Sequence, residues 1–245
     1  MKIIILAAGK GKRLQSEQFN LPKVLRDLNG KPIIKYLIEQ LDFIDKSNII
    51  VVVGFMADKV METLGKDYNY VIQNEQLGTG HAVMMAKEYY ENSDDDIMVL
   101  MGDMPFIKKD TLKNLISFHE NNSNDLSILS AKVKLPSSFG RIIRDKIGKI
   151  TKIVEVKDAN EDELKVNEVN TGIAIYKPEI LKYLSYLKND NNQKEYYLTD
   201  LVKIAIDKGY KVGTLVCNDE YEFLGINSFE DLELALSIIK GEFYG

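Results

Sequence analysis

Three polar clusters in this 245-residue chain follow short apolar runs and carry residue types suited to phosphate and cation chemistry. The first is LAAGKGKRL, Leu6 to Leu14, after the run Ile3–Leu6. Gly9 and Gly11 let backbone N–H groups approach an anion closely, and a following helical turn adds a favourable dipole. Arg13 offers a fixed fork of donors for phosphate oxygens. The spacing fits neither familiar phosphate loop. No Gly-Lys-Ser or Gly-Lys-Thr follows, and Leu14 stands where the dinucleotide fingerprint has its third glycine. The competing reading is a tight glycine turn whose lysines face water. A further cationic segment follows at LPKVL, where Pro22 fixes the backbone before Lys23.

The second cluster is QNEQLGTGHAV, Gln73 to Val83. An amide pairs with a base edge through one donor and one acceptor, and a Gly-Thr-Gly turn lets a flat ring lie close to the backbone. A plain loop fits the same residues. His81 has no Ser, Cys or zinc-spaced partner nearby and reads as structural. The third is LMGDMPF, with Asp103 one glycine past an apolar run. A carboxylate there suits Mg²⁺, a hard ion that binds through one or two carboxylates plus phosphates and keeps several waters. The alternative is an Asx turn or helix cap before Pro105.

These clusters need rigid elements beneath them. Lys2–Leu6, Asn48–Val53, Tyr70–Gln73 and Ile97–Met101 read as strands, the continuous apolar ones buried on both faces. A helix is predicted after Pro32 from the spacing of Ile33, Ile34, Leu37, Ile38 and Leu41, and others over His81–Tyr90 and Lys109–His119. Alternation of this kind gives parallel pairing with right-handed crossovers, and places the functional loops at the carboxyl ends of the strands. The second half is richer in strand signal: Asp125–Val133, a mixed stretch Phe139–Val156, and Val169–Tyr176. A helix is predicted over Leu198–Asp207, stopped by Gly209, and Ser228 with Asp231 reads as a capping box for a last helix to about Lys240. The expected fold is α/β, a Rossmann-like mostly parallel sheet flanked by helices with a smaller β-rich lobe. The expected organisation is one domain, with a nucleotide-binding half over residues 1–125, a sugar-binding β-rich half over 126–227 and a C-terminal helix over 228–245. The stripe Tyr183, Tyr186, Tyr196 and Tyr197 reads as packing.

The bulk numbers bound the partners. The chain has 45% hydrophobic and 28% charged residues, the balance of a globular domain. Its formal net charge of −5 argues against nucleic acid as a partner. Cys217 is the one cysteine, so no internal disulfide forms, and it reads as a small buried hydrophobe. No apolar stretch is long enough to span a bilayer, so no membrane partner and a cytoplasmic location are expected.

Taken in order along nearly the whole chain, LAAGKGKRL, LPKVL, GKPII, QNEQLGTGHAV, MGDMP, FGRIIRD, KIVEVKDA, EVNTGIAIY, KEYYLTDLV and GIN resemble the uridylyltransferase (pyrophosphorylase) domain of the bacterial bifunctional N-acetylglucosamine-1-phosphate uridylyltransferase/glucosamine-1-phosphate acetyltransferases. The resemblance implies that Leu6, Ala7, Ala8 and Gly9 hold the nucleotide through backbone contacts. Gln73, Gly78 and Thr79 would read uracil, and Met101, Gly102 and Asp103 would lie by the ribose and metal. Arg13, Lys23 and Asp103 form the implied catalytic set, with Mg²⁺ on Asp103 and Asn227. Gly140, Glu155, Asn170 and Thr199 would hold the amino sugar. Each sugar-site residue has an ordinary alternative: a charge on a solvated strand face for Glu155, a strand turn for Asn170, a helix cap for Thr199.

The implied substrates are UTP and N-acetylglucosamine 1-phosphate, giving UDP-N-acetylglucosamine and pyrophosphate. The alternatives are another sugar 1-phosphate or CTP in the same reaction, or a non-catalytic nucleotide-sugar sensor. Four positions depart from the family pattern. Lys12 stands for a usual Thr, the segment Glu17–Leu21 is longer, Met101 stands for a common Tyr, and GINSFED lacks an Arg near Asn227. The sequence stops at Gly245, before any hexapeptide-repeat β-helix, so acetyl transfer is not expected of it. No oligomeric partner can be read from it.

Overall fold

The apolar runs become strands, and the run that begins the chain lies inside the sheet. The computed structural model describes residues 1–241; the end of the expected C-terminal segment, 242–245, lies outside the described residues. In chain order the first half comprises β1 (Lys2–Ala7), β2 (Asp27–Leu28), β3 (Lys31–Pro32), α1 (Ile33–Glu39), β4 (Ile49–Val53), α2 (Ala57–Leu64), β5 (Asn69–Ile72), α3 (Thr79–Met85), β6 (Ile97–Met101) and α4 (Lys109–Asn121). The second half comprises β7 (Leu126–Lys132), β8 (Arg141–Arg144), β9 (Ile150–Val154), α5 (Glu161–Leu164), β10 (Glu168–Tyr176), α6 (Pro178–Leu181), α7 (Asp200–Asp207), β11 (Val212–Cys217) and α8 (Phe229–Lys240).

The main sheet runs β11-β7-β10-β6-β1-β4-β5. β1 pairs in parallel with β4 and β6, β4 with β5, and β11 with β7, while β10 is antiparallel to both neighbours. The smaller β-rich part is the hairpin β8–β9, which leaves the sheet where Arg141 pairs with Val169 of β10. Both faces are covered, which explains the unbroken apolar runs. Ile3, Ile5, Val51 and Leu100 share one core with Leu37, Leu112 and Leu115. Ile4, Ile50, Val52 and Val99 share the other with Val83, Leu181 and Leu201. A one-residue slip of β1 would exchange the two sets, so burial fixes the register. Cys217 is buried at the end of β11. Among the described residues no helix is long and apolar enough to cross a membrane.

Two predicted boundaries move for local reasons, and one helix is additional. The helix expected over His81–Tyr90 is two pieces, α3 and a 3-10 turn Lys87–Tyr89, because the chain tightens at Ala86, whose N–H is shared by the Val83 and Met84 carbonyls. The helix expected from Leu198 begins at Asp200, because the bonds before it, Leu201 N–H to the Leu198 carbonyl and Val202 N–H to the Thr199 carbonyl, span three residues rather than four. α2 has no counterpart in the sequence reading; it buries Val60 fully, with Ala57, Met61 and Leu64 partly buried against the same core. The capping box at Ser228 and Asp231 forms as expected.

Candidate functional site

The three polar clusters emerge side by side at the carboxyl ends of β1, β5 and β6. Gly102 N–H donates to the Leu6 carbonyl at 2.9 Å, and Gln73 N–H to the Val53 carbonyl at 2.7 Å, so the loops share one rim. Next to that rim lies a cavity of about 350 Å³, bounded by β6, β10, the hairpin and the start of α7.

Lys23, Asp103 and Asn227 meet at the mouth. Lys23 Nζ lies 2.5 Å from Asp103 Oδ2 and 2.9 Å from Asn227 Oδ1. Pro22 aims the 3-10 turn Lys23–Leu25 that carries the lysine. Asn227 is held on three sides. Its amide Nδ2 donates to the Gly225 carbonyl at 3.2 Å, its backbone N–H donates to Asp231 Oδ2 at 2.8 Å, and the neighbouring Ile226 N–H donates to the Asp103 carbonyl at 3.0 Å. The departure at GINSFED therefore leaves Asn227 aimed at the centre, because the cap of α8 fixes it.

A divalent ion fits this donor set. One carboxylate oxygen and one amide oxygen converge on a single cation, the Lys23 ammonium. Among the described residues no group of three or more His, Cys, Asp or Glu gathers to hold a metal. One carboxylate with open positions suits an ion that completes its shell with water and substrate phosphate.

The QLGTG loop is locked onto the segment before α7. Gly80 N–H donates to the Tyr196 carbonyl, and Tyr196 N–H donates to the Leu77 carbonyl, both at 2.8 Å. Gln73 is buried, and its amide nitrogen meets the Gly78 carbonyl at 3.1 Å and His81 Nδ1 at 3.0 Å. Both amide hydrogens are thus committed, only Oε1 remains for a ligand, and His81 accepts at Nδ1. Gly78 has φ +109°, and a Cβ there would stand 2.7 Å from the Tyr196 carbonyl oxygen. Gly78→Ala is expected to add about 1–3 kcal/mol of backbone strain before any relief of that contact. At roughly 2–4 °C per kcal/mol for a chain of this size, its thermal midpoint falls by several degrees. An unchanged melting curve would contradict the locked loop.

On the opposite wall, Thr199 Oγ1 donates to Glu155 Oε1 at 2.9 Å. That bond replaces the expected helix-capping one, and no side-chain cap forms at Thr199. A Cβ on Gly140 would stand 3.2 Å from Glu155 Oε2, so the glycine keeps the carboxylate close. Asn170 Oδ1 accepts from the Gly172 N–H at 3.1 Å, and Asn170 N–H donates to the Gly140 carbonyl at 2.9 Å. Gly172, at φ +88°, leaves room for the Met101 side chain, whose Cγ would be 3.1 Å from a Cβ there.

Burial pushes the Glu155 carboxyl above its ordinary pKa, against the pull of the Thr199 bond. Asp200 is pushed up to about 6 by burial, then by Asp158 and Asp190. The folded state therefore holds the Asp200 proton at pH values where the unfolded chain has lost it. This stabilisation is complete below the ordinary value of 3.8 and is lost as pH rises through about 6. Asp200→Asn is expected to flatten the fall in stability between pH 4 and 6, measured by urea denaturation across that window. An unchanged slope would reject the assignment.

Of the expected residues, Thr79, Met101 and Asp103 line the cavity, as do Gly140, Glu155, Asn170, Thr199 and Asn227. Leu6, Ala7, Ala8, Gly9, Gln73, Gly78 and Gly102 do not line it and belong to the adjoining rim. A Cβ on Gly9 would meet nothing within 4 Å, so that stretch of backbone is open. Arg13 is exposed on the 3-10 turn Lys12–Leu14 and makes no side-chain hydrogen bond. Of the tyrosine stripe, Tyr183 and Tyr186 pack together with ring centroids 5.6 Å apart, while Tyr196 lies against His81 at 6.4 Å. Sequence reasoning passed over Arg141. Its buried guanidinium donates to the Ser137 carbonyl at 2.9 Å and to the Phe139 carbonyl, shaping the loop that ends at Gly140. The FGRI motif contained that signal.

Comparison with known families matches residues 2–231 to the nucleotidyl transferase family. Curated relatives named bifunctional protein GlmU include those of Clostridioides difficile, 44% identical over 240 residues, and Caldanaerobacter subterraneus subsp. tengcongensis, 43% identical over 240 residues. These alignments cover 98% and 97% of this chain and 51% of each relative, so the chain spans about half their length. Among solved structures, a Bacillus anthracis protein described as a glucose-1-phosphate thymidylyltransferase, in complex with a sucrose, matches with a TM-score of 0.81 at 22% identity, over 100% of this chain and 97% of that one. This last likeness shows the fold.

Proposed function

The chain belongs to the nucleotidyl transferase family, and we propose that it transfers a uridylyl group from UTP to N-acetylglucosamine 1-phosphate, forming UDP-N-acetylglucosamine and pyrophosphate. The observation that carries this reading is the meeting of Lys23, Asp103 and Asn227 at the mouth of a cavity lined further in by Gly140, Glu155, Asn170 and Thr199. A phosphate bound at the mouth would put its sugar against those four residues.

A sugar-phosphate oxygen forms the new bond to the α-phosphorus, and the bond from that phosphorus to the pyrophosphate oxygen breaks. The nucleophile is already ionised at neutral pH, so no general base is required. Two polyanions must be held in line, and positioning with charge neutralisation is the protein's task. Lys23 sits where the two phosphates meet, and Arg13, free at the rim, reaches the triphosphate. The open backbone at Gly9 and the amides of Gly78 and Thr79 hold the nucleotide. Mg²⁺ on Asp103 and Asn227 supplies further neutralisation of the phosphate oxygens when bound. A cytoplasmic location, with neither nucleic acid nor membrane as partner, belongs to the same proposal.

The test is magnesium-dependent pyrophosphate release across a panel of sugar 1-phosphates with UTP and CTP. N-acetylglucosamine 1-phosphate with UTP should give the highest kcat/KM. Preference for another sugar or for CTP would correct the substrate, and no release with any pair would reject the transferase reading.

A further inference from the structure

The longer segment before Pro22 does not hang free. Phe19, in that segment, lies over the guanidinium of Arg26, whose Cζ is 4.1 Å from its ring centroid. Phe229, the first residue of α8, approaches the same guanidinium at 5.9 Å and meets Phe19 edge-on at 6.3 Å. Arg26 is only 8% exposed, and among the described residues no carboxylate pairs with it. Its NH2 group donates to the Leu14 carbonyl, and its Nε is buried with no partner. A buried cation without a counter-ion needs electron-rich neighbours, and the two aromatic faces supply them.

The groups that Phe19 covers or meets lie close in the chain to residues of the proposed site. Leu14 follows Arg13. Arg26 closes the 3-10 turn that begins at Lys23. Phe229 lies two residues past Asn227. The cluster also has its own apolar base, in which Leu14, Leu28, Ile33 and Ile226 pack with Ala235 of α8. The segment is tied at its far end as well, where Lys59 Nζ donates to the Asn20 carbonyl at 2.5 Å. Phe19 is nevertheless 54% exposed, although burial is the usual lot of a phenylalanine in a core. Its position is explained by the cation beneath it rather than by burial.

We infer that Phe19, Arg26 and Phe229 form a cation–π clasp that positions the loop bearing Arg13 and Lys23 against the start of α8 bearing Asn227. The three are positioning residues; none touches the cavity. The kinetic arm of the test rests on the transferase reading above, and the exchange arm does not.

The test compares Phe19→Leu, which keeps size and apolarity, with Phe19→Tyr and Phe19→Trp, which keep the ring face. Phe19→Leu is expected to lower kcat by about two- to tenfold, the range of a half-exposed cation–π contact. KM for UTP should stay within twofold, and the thermal midpoint should fall by no more than a few degrees. The Tyr and Trp variants should restore kcat. Hydrogen exchange on the free protein should show faster exchange of the Leu14, Ser16 and Leu21 amides in the Leu variant alone. Wild-type kcat and exchange in Phe19→Leu would overturn the clasp, as would equal losses in the Leu and Tyr variants. If the wild-type protein releases no pyrophosphate, the transferase reading fails and exchange alone decides. Faster exchange confined to the Leu variant then supports the clasp, and uniform exchange overturns it.

Discussion

Asp103→Ala is expected to remove most magnesium-dependent pyrophosphate release, by about 10²–10³-fold or more in kcat, with the fold intact. Among the described residues the side chain hydrogen-bonds Lys23 alone, so no core contact is lost. The backbone tie to α8 runs from the Ile226 N–H to the Asp103 carbonyl, which alanine keeps. Two groups lose their place in the variant. Lys23 Nζ is left with Asn227 alone, and the one carboxylate at the point of convergence is gone. Neutralisation of phosphate charge fails in both ways at once. The partners are 15% and 13% exposed, so the unpaired ammonium costs some stability but can still draw water. Asp103→Asn keeps the shape and separates charge from packing. It should melt like the parent and remain nearly as inactive as the alanine variant. Near-normal turnover in either variant, with saturating Mg²⁺, would contradict the metal assignment.

The sheet was legible because its signal is local. β1, β4 and β6 are continuous apolar runs, and a strand covered on both faces has no other way to read. Ile97–Met101 falls where its sequence places it to the residue. The cavity wall was legible only through the resemblance, because nothing in the spacing of Gly140, Glu155, Asn170 and Thr199 brings them together. The hairpin, a bulge in β10 and the start of α7 do that. What escaped is long-range and backbone-mediated. Thr79 is separated from Leu198 by 119 residues, yet its hydroxyl accepts the Leu198 N–H at the entry to α7. Arg26 and Arg141 drew no reading from the sequence and are buried, each donating to a backbone carbonyl oxygen of a loop. A sequence gives the charge of an arginine but not the carbonyl it will meet. Gln73 reads as a base-reading amide, while its hydrogens are spent on Gly78 and His81.

Lys23→Ala is expected to lower kcat by about 10²–10³-fold while KM for UTP changes only a few-fold. The lysine stands apart from the QLGTG loop, where the base is proposed to lie, and its ammonium is fixed on Asp103 and Asn227 instead. In the proposed reaction its charge would act where the two phosphates are brought together, so its loss would be felt in the transition state more than in the bound nucleotide. Lys23→Arg should not rescue turnover. A point charge fits between two oxygens 2.5 and 2.9 Å away, and a planar fork does not. Steady-state kinetics paired with calorimetric titration of UTP would separate the two quantities, and an unchanged kcat would remove Lys23 from the mechanism. The double variant with Asp103→Ala adds a sharper condition. Because the two side chains touch, their losses should be strongly non-additive. Two independent, multiplying losses would mean that the ion pair is incidental and that each residue meets the substrate on its own.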